Sequence, residues 1–579
     1  MSTKPTSDHG PGPGLRDPGP RPPAVSGPGQ PVAETPDLNG AYPRLGDAQI
    51  AALSSLGQRR PVRPDEILFA EGDRDYDFFV VLDGLVAVVE ARGTPEERVI
   101  SVHGRGRFLG ELSLLTGEAS YYSAVPVEPG EVLVVPAGRL GELVAHDPAF
   151  GDLILRACLI RRSVLIGLGA GLRIIGSRYS PDTRRLRDFA ARNRIPGRWL
   201  DLEADPAAET LIQQLGVTPE DTPIVLLGGR LLRNPSNAEL AAAIGLPAPG
   251  PPGASCDLLV VGSGPAGLSA AVYGASEGLQ TVVLDGTAAG GQAGTTSRIE
   301  NYLGFPSGIS GAELAERGVL QARKFGAHFA VPAEATSIRA DDGSYTVQLD
   351  DGTSVTATSV VLATGARYRR LPIPRLEYFE QMSVYYAASQ AEALFCTGDP
   401  VAIVGGGNSA GQAAVFLSRY AERVTLVVRE HDLGEYMSRY LIDQVRRIPD
   451  VRILLGTQVR ELLGDQALEA ITVEDRETGQ RRTLPARALF IFVGMAPCTG
   501  WLGDLVDLDE HGFVRTGPDT SPAGGATDGP GWPRSVLETS RPGIYAVGDV
   551  RSGSAKRVAA AVGEGAMAIR LAFERVRPA

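Results

Sequence analysis

The chain has 579 residues, 43% of them hydrophobic, which is enough apolar content for several cores and predicts a multidomain protein. A formal net charge of −12 argues against nucleic acid as a partner and against adhesion to anionic lipid. No apolar run approaches a membrane span, the first residues lack a basic region followed by an apolar core, the four cysteines are dispersed, and the six histidines lack ligand spacing. The expectation is a cytoplasmic protein with no membrane insertion and no metal.

Residues 1–45 are dense in proline and glycine without apolar periodicity, which predicts a disordered tail. Over 46–165 the pattern changes to short strands at Glu66–Phe69, Phe78–Leu82, Leu85–Val89 and Val132–Val135, punctuated by Gly72 and Gly84, as in an antiparallel β-roll. The segment Phe108-Leu109-Gly110-Glu111-Leu112-Ser113-Leu114-Leu115 resembles the phosphate-binding cassette of cyclic-nucleotide-binding domains. That resemblance implies that Glu111 holds a ribose 2′-hydroxyl and that an arginine nearby neutralises the cyclic phosphate. Ser120 stands where the arginine belongs, so cAMP should bind weakly, and a scaffold or a sensor of another ligand is favoured.

Residues 170–247 read as a third module: strand Leu172–Ile175, loop Tyr179–Thr183, a helix with Leu186 and Phe189, strand Trp199–Leu202, strand Thr222–Leu227 and a helix from Asn237. The order resembles the thioredoxin/glutaredoxin fold. In that fold a Cys-x-x-Cys follows the first strand and a cis-proline precedes the third, which places Ser180 and Thr183 at the thiol positions and Pro223 at the proline. Hydroxyls cannot exchange with disulfides, so the module is expected to be redox-inert. Residues 248–253 read as a Pro/Gly linker.

After the linker comes an apolar strand, Leu258–Val261, then Gly262-Ser263-Gly264-Pro265-Ala266-Gly267, a helix from Leu268 and a second strand ending in Asp285. In such a βαβ unit Gly262 permits the tight turn, Gly264 lets a pyrophosphate approach the helix N-terminus, Gly267 allows helix to pack on strand, and Asp285 can accept from a ribose diol. The bland alternative is a doubly wound sheet without a ligand. The logic repeats at Val401–Val404, Gly405-Gly406-Gly407-Asn408-Ser409-Ala410 and Val424–Val428. Gly405, Gly407, Asn408, Ser409 and Ala410 are therefore assigned to a second pyrophosphate. The second strand leads here into Arg429, which suits a 2′-phosphate and favours NADPH, with NADH open; Glu430 weakens the field, and a solvated surface arginine is the alternative.

Between and beyond these units lie Gly290-Gly291-Gln292, Ile299–Pro306 with Asn301, Val360-Val361-Leu362-Ala363-Thr364-Gly365-Ala366, and Ile544-Tyr545-Ala546-Val547-Gly548-Asp549. With these motifs in this order, residues 254–579 resemble the low-molecular-weight thioredoxin reductase family. The resemblance implies an FAD-dependent NAD(P)H oxidoreductase with an FAD domain at 254–375 and 500–579, a nested NAD(P) domain at 378–497, and a homodimer. It further implies FAD contacts from Ser263, Pro265, Ala266, Gly291, Gln292, Asn301, Thr364, Gly365, Gly548 and Asp549, with Asp549 on the ribityl chain; a helix cap is the alternative for Asp549. The fold class expected is thus a β-roll, a thioredoxin-like α/β domain and two nested Rossmann-like domains.

One departure concerns chemistry. Ala387 and Gln390 occupy the family's two cysteine positions, and Cys158, Cys256, Cys396 and Cys498 provide no local pair, although Cys396 lies close enough to stay a weak redox candidate. The family's acidic pair after the second glycine turn is replaced by Gln412-Ala413. Hydride is expected to pass from nicotinamide to flavin and then to an unidentified acceptor, a protein redox partner, a quinone or dioxygen. A redox sensor with little turnover is the second reading.

Overall fold

The computed structural model describes residues 33–576 apart from 65, 95, 247–253, 297–298, 300, 381–382, 387, 389–391, 394–395, 466 and 521–534. Of the tail expected to be disordered over 1–45, residues 1–32 fall outside the described residues, as do the linker and both lost cysteine positions, Ala387 and Gln390, whereas 33–45 pack into the fold with Ala41, Tyr42 and Leu45 buried. The chain divides into two compact units, Met1–Ala248 and Pro249–Ala579.

In the first unit, strands Gln58–Val62, Gly130–Val135, Phe78–Asp83 and Phe108–Leu109 form one antiparallel sheet in that order. Arg98–His103, Val86–Glu90 and Ser123–Pro126 form another. The expected strand at Glu66–Phe69 is reduced to an isolated bridge between Phe69 and Ala124. The apolar run Ile67-Leu68-Phe69 suggested a strand there, but the Asp73 carboxylate accepts from the Ala70 amide at 2.8 Å and turns the chain, while Arg60 pairs with Glu66. Next to the roll lies a four-stranded mixed sheet ordered Arg230–Arg233, Ile224–Leu227, Leu172–Gly176, Gly197–Asp201. Its last two strands are parallel and the others antiparallel. Roll and mixed sheet share one apolar core that runs from Val81, Val88 and Leu109 to Leu172, Ile174, Leu186 and Leu240.

A long helix, Pro148–Leu168, ties this unit together. Asp147 caps it by accepting from the amides of Ala149 and Phe150 at 3.0 Å, Pro148 occupies its first turn where no amide is needed, and Gly169 ends it at φ +58°. Its buried face carries Phe150, Ile154, Ala157 and Cys158, and also Arg161 and Arg162. Each arginine meets a buried acid of the cassette: Arg161 pairs with Glu111 at 2.5 Å and Arg162 with Glu118 at 2.8 Å.

In the second unit, the first sheet runs His328–Ala330, Thr281–Leu284, Ala254–Val261, Ser354–Leu362, Ser344–Leu349, Ala335–Asp341, and Ile544–Ala546 joins the carboxyl half of Ser354–Leu362 in parallel. The strand ends at Val261, Leu362 and Ala546 therefore open onto one crevice, the usual ligand position in parallel sheets. A second sheet of five parallel strands, ordered Val384–Tyr385, Ala488–Ile491, Pro400–Val404, Arg423–Val427, Val451–Leu454, carries the other glycine turn. The chain passes from the first sheet to the second through Ala366–Tyr368 and returns through Met495–Pro497, and these two segments pair as an antiparallel ribbon.

Removing one partner of the Arg161–Glu111 pair strands a charge in the core. Arg161→Met should destabilise the first unit by about 3–5 kcal/mol, and adding Glu111→Gln should recover most of that loss. Denaturant unfolding of the full chain, read on the transition of this unit, tests it; equal stability of parent and single variant would show the pair to be dispensable.

Candidate functional site

The first glycine turn is shaped by the absence of side chains. Gly262 has φ +99°, and a Cβ there would collide with the carbonyl of Ala363; one on Gly267 would collide with the carbonyl of Gly262. Gly264 is the N-cap of helix Pro265–Ser276, and a Cβ on it would meet nothing nearer than Gly291 Cα at 4.0 Å. The helix N-terminus is thus left open for an anion. Gly291, at φ +55°, brings the Gly-Gly-Gln loop over this opening, with the Gly290 amide donating to the Ser263 carbonyl at 2.8 Å. Gln292 Nε2 donates to the Ala366 carbonyl at 2.5 Å and Thr364 Oγ1 to the Cys498 carbonyl at 2.9 Å, so both side chains fasten the cradle to the ribbon. Ala266 lies buried behind the turn, and Gly365 follows at φ +68°. Asn301 is exposed, on the loop closed by the Ile299–Ile309 bridge.

Asp285 has work to do inside the protein. One carboxylate oxygen accepts from Ser263 N at 3.0 Å and Ser263 Oγ at 2.7 Å, the other from the amides of Thr287 and Ala288 at 3.0 and 3.1 Å. With four donors on a carboxylate, direct capture of a ribose diol gives way to positioning: Asp285 holds the glycine turn against the next loop.

Asp549 is the opposite case. It sits half-buried on the turn Gly548–Val550, and among the described residues no hydrogen-bond donor meets its carboxylate. Lys556 Nζ donates to the Asp549 backbone carbonyl at 3.0 Å instead. Burial pushes the carboxyl above its ordinary range. A desolvated carboxylate without donors, beside an open helix N-terminus and two facing glycine loops, fits a cofactor that carries both a polyol and a pyrophosphate. Glu564, which the motifs did not reveal, organises this corner: it accepts from the Gly548 amide at 2.7 Å and from Arg551 at 2.5 Å. Only the fold, bringing residues 548 and 564 together, exposes it.

The second turn follows the same rules with different side chains. Gly405 has φ +141°, and Gly407 caps helix Asn408–Leu417. Asn408 is exposed, with its Oδ1 accepting from the Ser438 amide at 2.8 Å, so it anchors the 433–438 loop, and Ala410 is fully buried under the turn. Ser409 is exposed at the helix start. The Arg429 side chain is 72% exposed and its Nε pairs with Glu430 at 2.7 Å.

The chain matches the model of the family described as pyridine nucleotide-disulphide oxidoreductase over residues 256–565. It belongs to that family. It is 34% identical over 316 residues to a thioredoxin reductase of Treponema pallidum, covering 55% of this chain and 95% of that protein. It is 32% identical over 316 residues to a Clostridium pasteurianum protein described as a 34.2 kDa protein in rubredoxin operon, covering 55% and 96%. A crystal structure of thioredoxin reductase from Streptococcus pyogenes aligns with a TM-score of 0.46 at 32% identity, covering 56% of this chain and 98% of that one. Thioredoxin reductases use FAD and NADPH, and this family member is an FAD-dependent NAD(P)H oxidoreductase of that type. Residues 59–147 match the model of the cyclic nucleotide-binding domain.

The cassette of that domain is closed by its own protein. Glu111 is fully buried against Arg161, Ser120 Oγ donates to the Tyr122 carbonyl at 2.7 Å, the Ser120 amide is taken by the Asp73 carbonyl, and the Ala119 amide by the Ile244 carbonyl. Tyr121 is buried and donates to Glu118, the partner of Arg162.

Two outcomes follow. Hydroxyl donors favour the ionised form of Asp549, so FAD affinity is full above the raised value and falls as pH drops through it. Asp549→Asn should weaken FAD about ten- to a hundredfold and flatten that dependence, as measured by fluorescence titration of the apoprotein. Retained affinity with an unchanged pH profile would reassign Asp549. In addition, calorimetry of the full chain with cAMP should show no binding; a submicromolar constant would mean that Arg161 releases Glu111.

Proposed function

We propose that the second unit passes a hydride from a nicotinamide to bound FAD and delivers the electrons to an acceptor outside the chain, without an internal dithiol. The observation that carries this is the state of the cysteines. All four are free. Cys158 is fully buried, and burial pushes the thiol of Cys256 up to about 12 and that of Cys396 to about 11, so neither offers a thiolate at neutral pH. Cys498 borders the cradle, yet its amide is bound to the Gly365 carbonyl, and burial raises its thiol too. Bound FAD would supply the two-electron chemistry. The residues placed to hold it are Gly262, Ser263, Gly264, Pro265, Gly267, Gly291 and Gln292 on the pyrophosphate side, and Gly548 and Asp549 at the polyol. A protein redox partner, a quinone or dioxygen suits such a reductase better than a disulfide reduced through positions 387 and 390.

The mixed sheet of the first unit supports a thioredoxin-like reading. Its strand Leu172–Gly176 is followed by helix Pro181–Arg192, which Ser180 caps by accepting from the Thr183 amide at 3.3 Å. Thr183 is buried there, and a Cβ on Gly176 would lie 2.9 Å from Pro223 Cβ. On this reading Ser180, Thr183 and Pro223 form the corner that would carry thiols, and without a thiol it can bind but not exchange disulfides.

Replacing Cys158, Cys256 and Cys396 by Ala and Cys498 by Ser should leave the rate of anaerobic flavin reduction essentially unchanged in stopped-flow. Loss of a dithiol-dependent turnover that the parent shows would reveal a cysteine pair formed across the fold.

A further inference from the structure

Arg429 lies next to the second glycine turn, where a basic residue would be free to meet a 2′-phosphate. It is not free. Its Nε is held by one carboxylate oxygen of Glu430, and its side chain is otherwise in solvent. The second oxygen of Glu430 points the other way, at the turn: a Cβ on Gly406 would lie 3.0 Å from Glu430 Oε2 and 3.0 Å from Val428 Cγ1. Glu430 is itself only 14% exposed, and the strand pairing from Val401–Val424 to Val404–Val427 fixes where the segment after Val427 emerges. Arg476 secures the segment further by donating to the Arg429 carbonyl at 3.0 Å. A carboxylate is thus pinned beside the turn, just past the carboxyl end of the neighbouring parallel strand. In a dinucleotide unit that is the place where the adenosine ribose meets the protein.

We propose that Glu430 is a specificity-determining residue that accepts a hydrogen bond from a free ribose 2′-hydroxyl and repels a 2′-phosphate, so that this chain takes NADH in preference to the NADPH used by thioredoxin reductases. The proposal rests on the reading of residues 400–428 as the nicotinamide-cofactor unit. Two effects act together. The carboxylate is a good acceptor for a diol and a like charge to a phosphate dianion, and by pairing with Arg429 it removes the cation that would have offset that repulsion. Glu435 adds to the negative field around Arg429. Arg476, at the Arg429 carbonyl, and Arg439, exposed at the start of helix Arg439–Arg446, are further cations beside this segment.

The test is calorimetry of the full-length, flavin-loaded protein with NAD⁺ and NADP⁺, and with 5′-AMP and 2′,5′-ADP as fragments that report the ribose alone. The parent should bind NAD⁺ and 5′-AMP at least about tenfold tighter than their 2′-phosphorylated counterparts. Glu430→Gln keeps the shape, loses the charge and should narrow the gap; Glu430→Arg should reverse it. Unchanged flavin absorbance shows that the variants are folded. Tighter NADP⁺ binding in the parent, or a preference that Glu430→Gln and Glu430→Arg leave untouched, would overturn the proposal while keeping the cofactor unit. Failure of either dinucleotide to bind the folded parent would overturn the unit as well. A selective loss of NADP⁺ in Arg439→Ala with no response at Glu430 would place the discriminating charge on the helix and equally refute it.

Discussion

The C-terminal unit depends on how closely three stretches of backbone approach one another at Gly262. The carbonyl of Ala363 lies where a side chain on Gly262 would begin, and the carbonyl of Gly262 lies where one on Gly267 would begin. That closeness brings the ends of strands Ala254–Val261 and Ser354–Leu362 together with the N-terminus of helix Pro265–Ser276. Any Cβ at either glycine would push helix and strands apart and open the crevice from beneath. Helix Val558–Val576 supports the same point from behind, with Gly565 packed against the Ala266 carbonyl and Ser269 Oγ donating to the Val562 carbonyl at 2.7 Å. The polar groups then divide the labour. Asp285 and Glu564 hold backbone amides in place, and Asp549 is left with its carboxylate unspent.

The N-terminal unit shows a fold of a ligand-binding family whose recognition groups have been turned inward. Adjacent arginines on one helix clamp two glutamates of the cassette, and amides that could have met an anion bond to backbone carbonyls. The energetic argument is asymmetric: the paired charges are tolerable in the core, but freeing Glu111 for a ligand would leave Arg161 buried without its counter-charge. A ligand would have to compensate that cost before gaining anything.

Much of the fold was legible because its signals are local. Glycine turns flanked by apolar strands specify βαβ units within some thirty residues, whereas the strand pattern over 46–165 did not show the helix Pro148–Leu168. The strand at Glu66–Phe69 was misread because a short apolar run alone could not show that Asp73 turns the chain. What the motifs could not show is which partners each site residue meets. Asp285 looked like a ribose ligand, but whether its oxygens are free depends on where Ser263 and the 287–288 turn lie in space. Ala410 matched a motif whose outward and inward faces only the helix orientation separates, and it is buried. Arg161 and Arg162 were invisible as cassette partners, because their acids lie 50 and 44 residues away along the chain.

The central claim, a flavin centre without an internal dithiol, makes a stoichiometric demand. An anaerobic reductive titration of the FAD-loaded protein should reach full flavin bleaching after a single hydride equivalent per FAD, since no thiol pair stores a second. Uptake of a second equivalent per FAD would mean that a hidden disulfide accepts electrons, and would contradict the account.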